Sequence, residues 1–184
     1  MKSAKYATRN YRNTKMNNMV SKKTDSDIAK LLDREKRQLE DFIQLFSLKG
    51  TDYNNAKTQE ENWTAKEVLA HITFWHESFA RNISDAGEKR EPRVLKGSMN
   101  DVINRGVREN RDVPIDVLLR RTRKAQRTIE KHIFDNTIGL IPYKQGSRPY
   151  TRAEHLDVVT RHINIYFWRV VQAYLKHRIN YLNK

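Results

Sequence analysis

Between residues 27 and 48 apolar side chains recur every three or four positions. Ile28, Leu31, Leu32, Leu39, Phe42, Ile43 and Phe46 share one side of a helix, while Asp33, Arg34, Lys36 and Arg37 fall on the other. Thr24 followed by Asp27 supplies a capping start, and Lys49-Gly50 a stop. A second helix opens on Thr64-Ala65-Lys66-Glu67, a capping box, with Trp63 placed to staple back onto Val68. Its stripe of Val68, Ile72, Trp75 and Phe79 predicts helix to about Ile83, and His71 sits one turn before Trp75.

From Ser84 to Gly97, glycine, proline and charge predict a long surface loop, followed by a short helix from Met99 to about Arg108. Pro114 suits the first turn of the third long helix, on which Leu118, Thr122, Ala125, Ile129 and Ile133 keep helical spacing. Residues 135–150 read as a loop. A further capping box, Thr151 to Glu154, opens a last helix through Val159, Ile163, Tyr166, Val170 and Tyr174. His155 and His162 on it are seven residues apart, nearly two turns, and share a side with Val159 and Tyr166.

No alternating strand pattern of useful length exists, so the fold class is all-α. Four helices with single apolar stripes bury them against one another. The expected architecture is an antiparallel four-helix bundle with a long loop and a short extra helix between helices two and three. The 184 residues suffice for one domain, here residues 24–184, preceded by a tail over residues 1–23. The net charge of +14 is unevenly placed: Lys2, Lys5, Arg9, Arg12, Lys15, Lys22 and Lys23 supply half of it with no acid among them. That tail has no helical pattern and reads as disordered. Together with the cluster Arg120, Arg121, Arg123, Lys124 and Arg127, it defines a nucleic-acid alternative of the phosphate-backbone kind. No DNA-binding motif or aromatic stacking platform accompanies it.

The chain lacks cysteine, which excludes disulfides and a cysteine nucleophile. It also lacks a long apolar run or a signal-peptide pattern, so the expectation is a cytoplasmic protein with no membrane association. Neither a phosphate-binding glycine loop nor a Gly-x-Ser-x-Gly elbow is present. The acids read as solvated partners of Lys and Arg on helix surfaces, and His76, His132 and His177 are assigned no role.

The order Trp63, Thr64, Glu67, His71, Trp75, His76 resembles the helix-two signature of the DinB/YfiT-like superfamily. Within it, the nearest likeness is to the DfsB/ClbS branch, or to the related N-terminal domain of mycothiol-dependent maleylpyruvate isomerase. The superfamily resemblance implies a divalent metal, nickel or zinc, held by a histidine of helix two and a His-x3-His pair of helix four. Here His71 and His162 match, but Tyr166 stands where the second histidine of the pair belongs and Val158 four positions before, so the triad is incomplete. His155 is the remaining substitute, about 10.5 Å from His162 along the helix axis.

The branch resemblance implies a protective role: hydrolysis of a small reactive molecule in a cleft, with no metal required. Carried onto this chain, His71, His162 and Tyr166 become the catalytic candidates and Trp75 and His155 the ligand contacts. A non-catalytic binding bundle using the same pocket is the alternative, as is a metal-dependent hydrolase or thiol transferase. Phe74, Phe167, Trp168 and Tyr181 exceed what one core buries, which raises the expectation of a homodimer.

Overall fold

The computed structural model describes residues 24–58 and 63–182. The basic tail, read above as disordered, lies outside them. Five α-helices occur in the order α1 (Asp25–Gln44), α2 (Ala65–Gly87), α3 (Met99–Glu109), α4 (Ile115–His132) and α5 (Arg152–Leu182); a short 3-10 turn, Leu45–Ser47, follows α1. Among the described residues the only extended pairings are isolated bridges. The long helices are α1, α2, α4 and α5, and α3 is the short extra helix of the crossover, so the architecture is the expected all-α bundle.

The capping logic is realised at the starts of α1, α2 and α5, whereas α4 follows Pro114, which stands at the N-cap with no side-chain hydrogen bond. Thr24 and Asp27 exchange side-chain and backbone hydrogen bonds, as do Thr64 with Glu67 and Thr151 with Glu154. Ser98 and Asp101 form a further box at α3. Helix α2 continues to Gly87, one turn beyond the predicted Ile83. In that added turn, buried Asp85 accepts from the guanidinium groups of Arg90 and Arg93, which clasps the start of the following loop to the helix.

Two apolar clusters make the core. One contains Leu39, Phe42, Val68, Leu69, Ile72 and Val170; the other contains Ile28, Leu32, Ile83, Ile129, Ile133 and Leu156. Helices α1 and α5 run from the second cluster to the first, and α2 and α4 run the opposite way. The bundle therefore consists of two parallel pairs, α1 with α5 and α2 with α4, set antiparallel to each other. The long crossover through α3 is what returns the chain to the start level for α4, because parallel neighbours cannot be joined by a tight turn.

On α1 and α2 a polar residue falls between the two clusters. Gln126 of α4 donates from Nε2 to Glu35 of α1 at 2.8 Å, and its Oε1 lies 2.7 Å from Nε2 of His76 of α2. The Glu35 carboxylate is fully buried and held up at about 7 by that burial, with the Gln126 hydrogen bond acting the other way. This corrects two sequence readings: the acids are not all solvated, since Glu35 and Asp85 are buried, and His76 has a structural role in tying three helices together.

On the outer side of α4, Arg120 pairs with Asp116 and Arg123 reaches Glu40. Arg121 makes a bidentate pair with Glu77 and also donates to Asn110. No helix among the described residues is long and apolar enough to cross a membrane.

Candidate functional site

Helix α2 starts at a fixed capping box and buries Ala65, Val68, Leu69 and Ile72. That orientation turns His71 and Trp75, one turn apart, toward α5. On α5 the series His155, Val159, His162 and Tyr166 faces back at intervals of three and four residues. The two histidines meet: His71 Nε2 lies 3.0 Å from His162 Nε2.

Around that contact the aromatic rings close in. The Tyr166 ring is 4.7 Å from His71 and 4.9 Å from His162, centroid to centroid, and Trp63 lies 5.1 Å from His71 while stacking at 16° on Tyr166. Trp63, expected only as a staple, thus backs the His71 ring. The Arg169 guanidinium covers the Tyr166 ring at 4.6 Å. Burial drives the His71 imidazole down to about 2, reinforced by His162 and Arg169; burial and Arg169 hold His162 at about 4. Both rings are therefore neutral at physiological pH, and in their contact one Nε2 donates while the other accepts. His71 Nδ1 and Trp75 Nε1 are buried with no hydrogen-bond partner.

A cavity of about 240 Å³ opens from this pair. Trp75, Phe79 and Tyr143 wall it, Met99 and Ile103 of α3 contribute to its lining, and His155 lies along α5 from the imidazole pair. No Asp, Glu, Lys or Arg lines it. Its loop-borne wall is fixed by pairing between the two long connections. Leu95 N–H donates to the Tyr143 carbonyl at 3.0 Å and Gln145 N–H to the Leu95 carbonyl at 2.8 Å. Ile141 and Tyr150 exchange backbone hydrogen bonds, and Asn82 of α2 donates to the Pro142 carbonyl. The Tyr143 and Tyr150 rings stack at 5.3 Å.

The five residues singled out by sequence all line the cavity, but His155 does not join the other two imidazoles. Its Nε2 lies 3.1 Å from the Ile141 carbonyl, which can only accept, so Nε2 carries the proton; its ring stacks on Phe79 at 4.3 Å. Burial holds it at about 4. The side chains present therefore do not fit the three-imidazole metal centre that the resemblance implies. Two nitrogens converge, Tyr166 occupies the third place, and among the described residues no three His, Cys, Asp or Glu side chains are arranged to hold an ion. Sequence reasoning missed Tyr143, Tyr150, Met99 and Ile103. The tyrosines lie in an aperiodic loop, and tertiary hydrogen bonds to Leu95, Asn82 and His155 bring them over the helices.

Two solved structures share this fold: mycothiol-dependent maleylpyruvate isomerase, with TM-score 0.61 and 14% identity, and a point mutant of that enzyme, with TM-score 0.62 and 11% identity. Each match covers 78% of this chain and 60% of the other, so the chain spans about three-fifths of the length of the proteins it matches. At such identities the likeness is one of fold, the DinB-like bundle. No protein-family model and no curated protein sequence matched the chain. Neither match supports the nearer likeness to the DfsB/ClbS branch.

Proposed function

We propose that the cavity takes up a small, uncharged, largely apolar electrophile and that the His71–His162 pair assists its hydrolysis, a protective reaction. The observation that carries this reading is the cavity's lining. With no charged side chain on its walls, a charged ligand would lose hydration without gaining a counter-ion, at a cost of several kcal/mol or more. An apolar ring, by contrast, finds Trp75, Phe79, Tyr143 and Tyr150 to pack against.

The two unpartnered nitrogens belong to residues of the cavity lining but are closed to solvent in this structure, so they become ligand contacts only on a small shift of the His71 and Trp75 side chains. The Trp75 indole N–H can only donate, so it suits an ether, carbonyl or epoxide oxygen. When His71 donates its Nε2–H to His162, its Nδ1 carries no proton and accepts one from water once that shift uncovers it. Water then bonds through oxygen to the electrophilic carbon, the carbon–oxygen bond of the ligand opens onto the Trp75 side, and the proton passes through imidazole to the new alkoxide. Imidazoles with such low proton affinity are weak bases, so orientation of the water supplies the larger share of the effect. They also stay deprotonated, which makes the rate flat from about pH 5 upward.

Styrene oxide is a suitable probe, being neutral, aromatic and electrophilic. Diol formation is expected with the full chain, with His71→Ala lowering turnover roughly a hundredfold while probe affinity changes by less than about threefold. Tyr166→Phe, which keeps the ring, is expected to retain affinity. Diol formation no faster than the uncatalysed rate would leave a binding protein without catalysis, and equal enzymatic turnover in wild type and His71→Ala would remove His71 from the mechanism; no saturable binding of the probe would sink the ligand reading as well.

A further inference from the structure

On the side of α5 turned away from the bundle, four large apolar side chains stand in water: Ile165, Trp168, Leu175 and Ile179, exposed by 52%, 57%, 51% and 58%. With Gln172, also exposed, their spacing is three, four, three, four. That is the a/d seam of a heptad helix, here carried on the surface of a bundle whose own contacts use Ile163, Tyr166, Val170 and Ala173 of the same helix. Single exposed apolar residues are ordinary, but a register maintained over two heptads is a surface prepared for another helix.

The charges beside the seam restrict what that helix can be. From residue 158 to residue 182 α5 carries no Asp or Glu, while Arg169, Lys176 and Arg178 flank the stripe. A second copy laid antiparallel would bring Arg169 against Lys176 of the other chain at both ends. A parallel copy would gain no acid either, and each chain already carries a net +14. A bilayer would call for a broad apolar face, whereas this stripe is two residues wide.

We propose that the outer face of α5 seats an amphipathic helix of a partner protein, with aliphatic residues at its own a and d positions and acids at e and g. Trp168 is the anchor of the seam, because a large ring half withdrawn from water gains most from being covered. Exposed Lys176 beside the seam sets polarity and partner choice, Arg169 being already engaged on the Tyr166 ring.

The probe is a synthetic helical peptide of about four heptads, with Leu at a and d and Glu at e and g, titrated into the full chain by fluorescence anisotropy. Its counterpart with Lys at e and g serves as the control. Saturable binding of the acidic peptide at low salt is expected, weakened roughly tenfold at high salt, with no binding of the basic peptide. Trp168→Ala is expected to lose about tenfold or more, and Leu175→Glu to lose binding while helix content by circular dichroism stays unchanged. Failure of the acidic peptide at low salt would overturn the proposal. So would a dimer in sedimentation equilibrium that Leu175→Glu dissociates, which assigns the face to a second copy, or co-sedimentation with phosphatidylserine vesicles, which assigns it to a bilayer.

Discussion

At the scale of single residues, this protein keeps imidazoles in its interior and keeps them uncharged. His71, His76, His155 and His162 are all depressed from the usual 6.5, to about 2 for His71 and about 4 for the others, with burial as the largest cause in each case. In the unfolded chain these rings bind protons below pH 6.5, whereas in the folded chain they do not until about pH 4 or lower. Their stability contribution is thus full above pH 6.5 and lost as pH falls toward 4. Glu35 works in the opposite sense: raised from 4.5 to about 7, it favours the fold most below 4.5 and loses that contribution as pH rises to 7. Four groups outweigh one, so the urea midpoint is expected to be clearly lower at pH 5 than at pH 7.5. Glu35→Gln should steepen that fall, and a midpoint unchanged between the two pH values would contradict the burial account.

His71 and His162 were legible because each lies on an apolar face at helical spacing. His76 and Glu35 were not, since their burial depends on three helices meeting at one level, which no single-helix pattern displays.

At the scale of elements, boundaries follow local chemistry and were read closely where that chemistry is local. The boxes at Thr24, Thr64 and Thr151 mark helix starts within a residue or two. The end of α2 was misplaced because its last turn is held by Asp85 reaching Arg90 and Arg93 across the loop, a tertiary interaction. Helix α3 shows how an element far from the imidazoles shapes the site. A methyl group at Gly106 would fall 2.6 Å from the Phe74 ring, so α3 sits close on α2 only because that position is glycine. Gly106→Ala is expected to cost about 1–3 kcal/mol through forced displacement of α3. Because Met99 and Ile103 of the same helix line the cavity, the variant should also weaken probe binding severalfold. Thermal melting and titration of one preparation test both, and an unchanged melting temperature would show that α3 has room to shift. Thr64→Ala, by contrast, removes one cap at about 1 kcal/mol and leaves the His71–His162 contact in place. Loss of stability without loss of probe affinity is the expected result by the same two measurements.

At the scale of the whole molecule, the arrangement of two parallel helix pairs places α2 and α5 across from one another and leaves the long connections to cover the gap between them. The sequence pattern carried the number of helices and the apolar faces, but not this pairing, because direction and neighbour choice are decided by the length and docking of the crossovers. The same crossovers bring Tyr143 and Tyr150 over the cavity and give it walls with no Asp, Glu, Lys or Arg. The central claim is that this space selects an uncharged ligand against His71 and Trp75. Its most direct test is tryptophan-fluorescence titration with the neutral phenylethanediol and the anionic phenylacetate, which share one ring and differ in charge. The neutral molecule is expected to bind at least about tenfold more tightly and to keep that advantage in Trp75→Phe, which adds no charge to the lining. Phenylacetate binding as tightly as the diol, or more tightly, would contradict the account.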